Sequence, residues 1–215
     1  HRAERGQLLH QIGPPAEGVR FIHVYDRGAD NFEVFCRLQN ARCDWVIRAA
    51  RLNRVLTEGR SLGEVLEGSA QVGGYQLEVP ARKGQRRRTA KLVVRFEPVE
   101  LRAPHHRSPW LREQGVQSMK LTAVRVEEPK APRGVTPLSW TLLTSLEVKS
   151  FDDAWRVIGH YEKRWGVEEF HKALKTGCRV ESRQLQTSQR LEPLTALLCV
   201  TAVRLLRLRT LARRQ

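Results

Sequence analysis

Hydrophobic positions along the first fifty residues change rhythm twice. Residues Val19-Arg20-Phe21-Ile22-His23-Val24-Tyr25 carry apolar and β-branched side chains at high density, which predicts a strand. The run stops at Asp26-Arg27-Gly28-Ala29-Asp30. From 31 to 40 the apolar residues Phe32, Phe35 and Leu38 recur at helical spacing, with Asp30 placed to cap the helix. Trp45-Val46-Ile47-Arg48 then reads as a second strand, so this region predicts strand, helix, strand.

Residues 51–136 have another texture. Short strand-like runs at 72–79, 91–101 and 119–127 alternate with Gly73-Gly74, a basic loop at 82–88 and a Pro/His/Arg-rich loop at 102–112. That pattern predicts a small antiparallel sheet with long turns, inserted into the main domain. Pro137 to Val148 returns to a core strand through Trp140-Thr141-Leu142-Leu143-Thr144-Ser145. Ser150-Phe151-Asp152-Asp153 opens a helix whose pattern runs to about residue 176, where Gly177 stops it. A last helix is predicted over 192–212, with Leu194, Leu197, Leu198, Leu205 and Leu208 as its apolar side and Arg204, Arg207 and Arg213 as its polar side. The expected organisation is a core piece at 1–50, a β-rich insertion at 51–136 and the rest of the core at 137–215.

Charge narrows the function. The chain carries a net charge of +15, and its pI is near 10.6. A polyanion is the usual partner for such an excess, with nucleic acid ahead of an acidic membrane surface; plain solubility is the ordinary alternative. Hydrophobic residues make up 40% of the chain, enough for a core. No run of about 18 apolar residues occurs, so no membrane span is expected. His1 to Arg5 has no apolar signal core, so secretion is not indicated; the chain begins with His and its only Met is Met119, so it is expected to be part of something longer. Cys36, Cys43, Cys178 and Cys199 have no zinc-site spacing and read as reduced packing residues.

The candidate chemistry sits at two places. Tyr161, Arg164, Glu168 and Lys175 have offsets that fall within roughly 60° of one another on a continuous α-helix. That stripe is either a functional face or a solvated one in which Glu168 pairs with Arg164. Asp26 ends a buried strand where the chain leaves the sheet, a usual place for a metal ligand in an α/β sheet. It could equally close an Asx-turn or cap a helix, although Asp30 is better placed for capping. Together Asp26 and Glu168 would offer a hard divalent cation oxygen ligands, with a third expected for a two-metal site.

Tyr161-x-x-Arg164-x-x-x-Glu168-x-x-x-x-x-x-Lys175 resembles the YREK signature of DDE transposases in the fourth insertion-sequence family. Tyr25 to Asp30 resembles that family's second-aspartate motif, with Gly28 where Glu is usual. Pro137 to Ser145 resembles the strand before its glutamate helix. The resemblance implies an α/β fold, an RNase H-like (retroviral-integrase-like) catalytic core incomplete at its N-terminus, with a β-rich insertion. It implies Asp26 and Glu168 as the second and third metal ligands, for Mg²⁺ or Mn²⁺. It implies DNA contacts by Tyr161, Arg164, Lys175 and Arg48, and stacking of Trp140 on a base flipped from the transposon end. For Arg48 a surface ion pair, and for Trp140 core packing, are equally open. The first aspartate of the triad belongs on an earlier strand, whereas Glu4 and Glu17 are the only acids before Asp26.

The resemblance further implies double-stranded DNA partners (transposon ends and target), a homodimer in the full-length enzyme, no membrane, and a bacterial cytoplasm or nucleoid. The expected activity is metal-dependent strand cleavage and transfer. A catalytically inactive DNA-binding remnant and an unrelated basic nucleic-acid-binding module stay open beside it.

Overall fold

A computed structural model of the chain describes residue 13 and residues 15–81, 86–183 and 187–212. Glu4, residues 82–85 of the basic loop and Arg213 therefore lie outside the described residues. The chain divides into two compact units, His1–Tyr161 and Glu162–Gln215.

In the first unit the predicted strand, helix, strand order holds. β1 (Ile22–Tyr25), α1 (Phe32–Asn40) and β2 (Asp44–Arg48) follow one another, and β1 pairs parallel with β2 from Ile22 opposite Asp44 to Tyr25 opposite Ile47. A parallel pair needs a crossover, and α1 supplies it. The helix cap differs from expectation. Asn31, not Asp30, caps α1, its Oδ1 accepting from the Glu33 N–H at 2.9 Å. A single 3₁₀ turn at Arg27–Ala29 consumes the residues between Asp26 and Asp30 and leaves Asp30 one position too early.

Residues 51–136 do not form a sheet of their own. β3 (Gln71–Val79), β4 (Arg88–Arg102) and β5 (Ser118–Glu127) join β6 (Ser139–Thr144) in one six-stranded mixed sheet, ordered β1-β2-β6-β5-β4-β3. β5 pairs antiparallel with β6 from Thr122 opposite Thr144 to Glu127 opposite Ser139. Burial explains the merger. Val124, Val126 and Leu142 are fully covered on one shared face, and an unpaired strand edge inside that core would strand its backbone groups. Two short helices also stand where none was predicted: α2 (Leu62–Gly68) and α3 (Pro109–Glu113).

Alternation along β2 sorts the core into two layers. Trp45 and Ile47 point to a cluster built with Phe32, Phe35 and Leu38 of α1 and Leu62 and Leu66 of α2. Val46 points the other way, to a cluster with Val94, Val126, Leu142 and, from α4 (Phe151–Glu162), Ala154, Val157 and Ile158. The sheet is thus sandwiched between helices, an α/β arrangement in which each fully buried aliphatic side chain contributes roughly 1.5–3 kcal/mol. At the β3 edge the Phe151 ring lies where a Gly73 side chain would be: a Cβ there would sit 2.3 Å from the ring.

The second unit is helical. α5 (Trp165–Lys172) runs into a π-helical turn (Ala173–Gly177), then a 3₁₀ turn (Val180–Ser182), then α6 (Ser188–Ala212). The continuous helix expected to residue 176 is broken. α4 ends at Glu162, and the Gly166 and Val167 N–H groups bond Lys163 and Arg164 at i,i+3 spacing. Gly166, a poor helix former, stands beside the break. The predicted apolar side of α6 is also revised: Leu197, Leu205 and Leu208 are 63%, 48% and 63% exposed. Packing instead follows a stripe four residues apart, with Ala202 buried between half-buried Leu194, Leu198 and Leu206.

Candidate nucleic-acid and metal site

Sheet register brings three of the expected site residues to one end of the first unit. β1 and β2 run parallel, so Asp26 and Arg48 both stand at their carboxyl ends, one step past the Tyr25–Ile47 pair. β6 runs the opposite way and begins at that end: Arg48 pairs with Leu142, which makes Trp140 its diagonal neighbour. Side-chain parity gives the face. Val46, Leu142 and Trp140 belong to the α4-side cluster, and Arg48 shares their parity. Ile22 belongs to it too, and the extended backbone of Asp26 (φ −77°, ψ −175°) continues that alternation.

The three side chains differ in their commitments. Asp26 is exposed, and its Oδ1 accepts from the Gly28 N–H at 2.9 Å. The Asx-turn that the sequence left open is therefore formed, and Asp30 does not relieve Asp26 of that role. Arg48 is partly buried, and its Nε has no hydrogen-bond partner among the described residues. A buried guanidinium donor left unpaired is costly and marks a place where an acceptor would be welcome. Trp140 is partly buried against the α4-side cluster, so it performs the packing role while staying open on one side. Tyr161, near the end of α4, packs on the same cluster.

In the second unit, Arg164 Nη1 stands 3.4 Å from Glu168 Oε1, an i,i+4 pair with the glutamate half exposed. The salt-bridged reading of this face is thus realised. Lys175 lies in the π-helical turn and pairs with Glu181 at 2.8 Å, which holds its ammonium pKa above the ordinary value. The four-residue stripe expected of one regular helix is replaced by these two local pairs, because the turn at 163–164 and the π-helical turn both change the angular advance per residue.

Asp26 and Glu168 carry the hard oxygen donors that Mg²⁺ and Mn²⁺ take. Among the described residues, no three His, Cys, Asp or Glu side chains gather as a metal set. A cavity of about 440 Å³, lined by Leu56, Val65, Val99, Glu97, Glu100 and Lys120, contains none of the candidate residues.

The residue that sequence reasoning misplaced is Asp30. Its side chain is fully buried; Oδ2 accepts the Ala50 and Arg51 N–H groups at 2.7 and 3.2 Å, and Oδ1 pairs with Arg54. An aspartate five residues after a strand end reads locally as a cap, and partners twenty or more residues away leave no local signal.

No helix among the described residues is long and apolar enough to cross a membrane. A family model described as "Transposase DDE domain" matches residues 4–203.

Proposed function

The chain belongs to the transposase DDE-domain family, and from that membership we propose that it acts on duplex DNA through the sheet end that carries Asp26, Arg48 and Trp140. The family implies an RNase H-like α/β fold, and a mixed sheet with helices on both faces is consistent with it. It also sets aside the unrelated basic nucleic-acid module. Within the family we assign the chain to the YREK-bearing, fourth insertion-sequence group. Arg48, Tyr161, Arg164 and Lys175 contact DNA phosphates, and Trp140 stacks on an unstacked base. Asp26 and Glu168 contribute the acids of a Mg²⁺ or Mn²⁺ centre for strand cleavage and transfer. Such a metal, when bound, supplies activation of the attacking oxygen and neutralisation of the leaving one.

The observation that carries this reading is the convergence of Asp26, Arg48 and Trp140 on one face at one sheet end, with the Arg48 donor unpartnered. The net charge of +15 supplies the general attraction. Fluorescence anisotropy with a labelled duplex tests it. Binding should weaken steeply with salt, and Arg48→Ala should weaken it about tenfold, near 1.4 kcal/mol. Salt-independent binding, untouched by Arg48→Ala and Trp140→Ala, would sink the assignment.

A second reading, DNA binding without cleavage, is favoured by the existing commitments of the two acids, Asp26 to the Gly28 N–H and Glu168 to Arg164. Supplying Mn²⁺ and a supercoiled plasmid separates the two. Nicking abolished by Glu168→Ala supports the catalytic reading, and retained binding with no nicking supports the second.

A further inference from the structure

We infer that Asp30 is a positioning residue, which sets Arg48 against Asp26 by clamping the turn that leaves β1 to the turn that leaves β2. The inference rests on the DNA-contact reading of Arg48 given above. Asp26 and Arg48 sit on adjacent parallel strands, and each is the last position before the chain turns away. Backbone pairing between the strands reaches only Tyr25 and Ile47. Beyond that point something else must hold the two turns together, and Asp30 does so. It closes the 3₁₀ turn after Asp26, donating its own N–H to the Arg27 carbonyl, while its carboxylate takes two successive N–H groups, Ala50 and Arg51, from the turn after Arg48. Arg54 neutralises the buried charge, so the clamp costs no unpaired ion. Arg54 in turn lies over the Phe35 ring, 5.7 Å from its centroid, which fixes the clamp to α1.

A carboxylate accepting two backbone N–H groups and a guanidinium has little freedom to drift. An amide at the same place keeps one acceptor oxygen and loses the charge. Arg48 should then keep its strand pairing with Leu142 but lose its fixed placement beside Asp26.

Two measurements on the full chain test this. In Asp30→Asn, amide hydrogen exchange at Ala50 and Arg51 should quicken about tenfold or more, while Val46 and Leu143 stay protected. Unchanged exchange at Ala50 and Arg51 would overturn the clamp. For the positioning role, Arg48→Ala is measured in two backgrounds by duplex-DNA anisotropy. It should cost about tenfold in the parent and about twofold or less in Asp30→Asn, the non-additivity expected of coupled residues. An undiminished tenfold loss in Asp30→Asn would overturn positioning. No loss in the parent would overturn the DNA reading of Arg48 instead, and the exchange result would still decide the clamp. Should Asp30→Asn not fold, Asp30→Glu, which keeps the charge and shifts the acceptor by one methylene, carries the same two measurements.

Discussion

The two units hold their candidate residues by different means. In the first, Asp26, Arg48 and Trp140 hang from the end of a sheet that carries a buried core cluster on each face. Their relative placement follows from strand register, which a one-residue slip would invert for every side chain. In the second unit, Cys178 and Ala202 are the buried residues among those described, and Arg164, Glu168 and Lys175 are steered by ion pairs with near neighbours in sequence. Such exposed pairs contribute only tenths of a kcal/mol. Placement by strand register is set by the fold itself, whereas placement by exposed pairs can be redirected by a competing anion. The contrast teaches which set of candidate residues is preorganised and which set can adjust.

The largest expected effect attacks the rigid half. Trp45 is 1% exposed and stacks on Phe35, with ring centroids 4.7 Å apart. Trp45→Ala should cost about 3–5 kcal/mol in denaturant unfolding of the sheet unit. A loss below about 1 kcal/mol would mean that the sheet is not the rigid partner in the comparison.

A smaller effect tests how tightly α4 is seated. Phe151, the first residue of α4, occupies the side-chain space of Gly73, and a Cβ on Gly74 would stand 2.5 Å from the Leu92 carbonyl oxygen. Gly73→Val must displace an aromatic ring and should cost about 1–3 kcal/mol. A Tm equal to that of the parent would show that Phe151 moves aside freely, and the helix carrying Tyr161 would then be as adjustable as the second unit.

Much of the first unit could be read from the sequence because its signals are local. The alternation of β2 and the spacing of Phe32, Phe35 and Leu38 each specify an element without reference to distant residues. The join between β5 and β6 could not be read this way, since alternation fixes which face a residue takes and not which strand lies beside it. The two short helices did leave a trace. Ser61 and Glu64 form a reciprocal capping box, and Ser108 caps a helix that begins with Pro109. Both signals are in the sequence, but helices of one or two turns are too short to show a period. The site followed the same division. Asp26, Arg48 and Trp140 could be named as candidates from the sequence and its family resemblance, while the Asp30 clamp depends on Ala50, Arg51 and Arg54, and only the fold brings them to it. The broken helix at 163–164 defeated the angular argument for Lys175, because one local turn shifts every later residue.

Acid offers a gentler probe of α4. The Asp153 carboxylate accepts from the Lys149 and Ser150 N–H groups and the Ser150 hydroxyl, and pairs with Arg156. These bonds, the Lys149 N–H first, pull its pKa from 3.8 to about 2. A carboxyl with a lowered folded pKa adds stability above its unfolded value, and that stability is lost as pH falls. The sheet unit should therefore lose a component of its stability between about pH 4 and pH 2, and Asp153→Asn should abolish that component. A mutant with the same acid profile as the parent would assign the loss to other carboxyls.

The smallest expected effect lies in the second unit and bears most directly on the contrast. Leu208 is 63% exposed on α6, and Leu197, Val203 and Leu211 are similarly open. A leucine already in water has little apolar area left to lose, and Ala is at least as good a helix former. Leu208→Ala should thus change thermal stability by about 0.5 kcal/mol or less, as surface substitutions usually do. Ala202, buried on the packed stripe, is the matched control: Ala202→Leu inserts three carbons into filled space and should be clearly destabilising. If Leu208→Ala proved the more damaging of the two, this face of α6 would be a covered one. The second unit would then hold Glu168 and Lys175 on a packed support, and the division between a preorganised half and an adjustable half would fail.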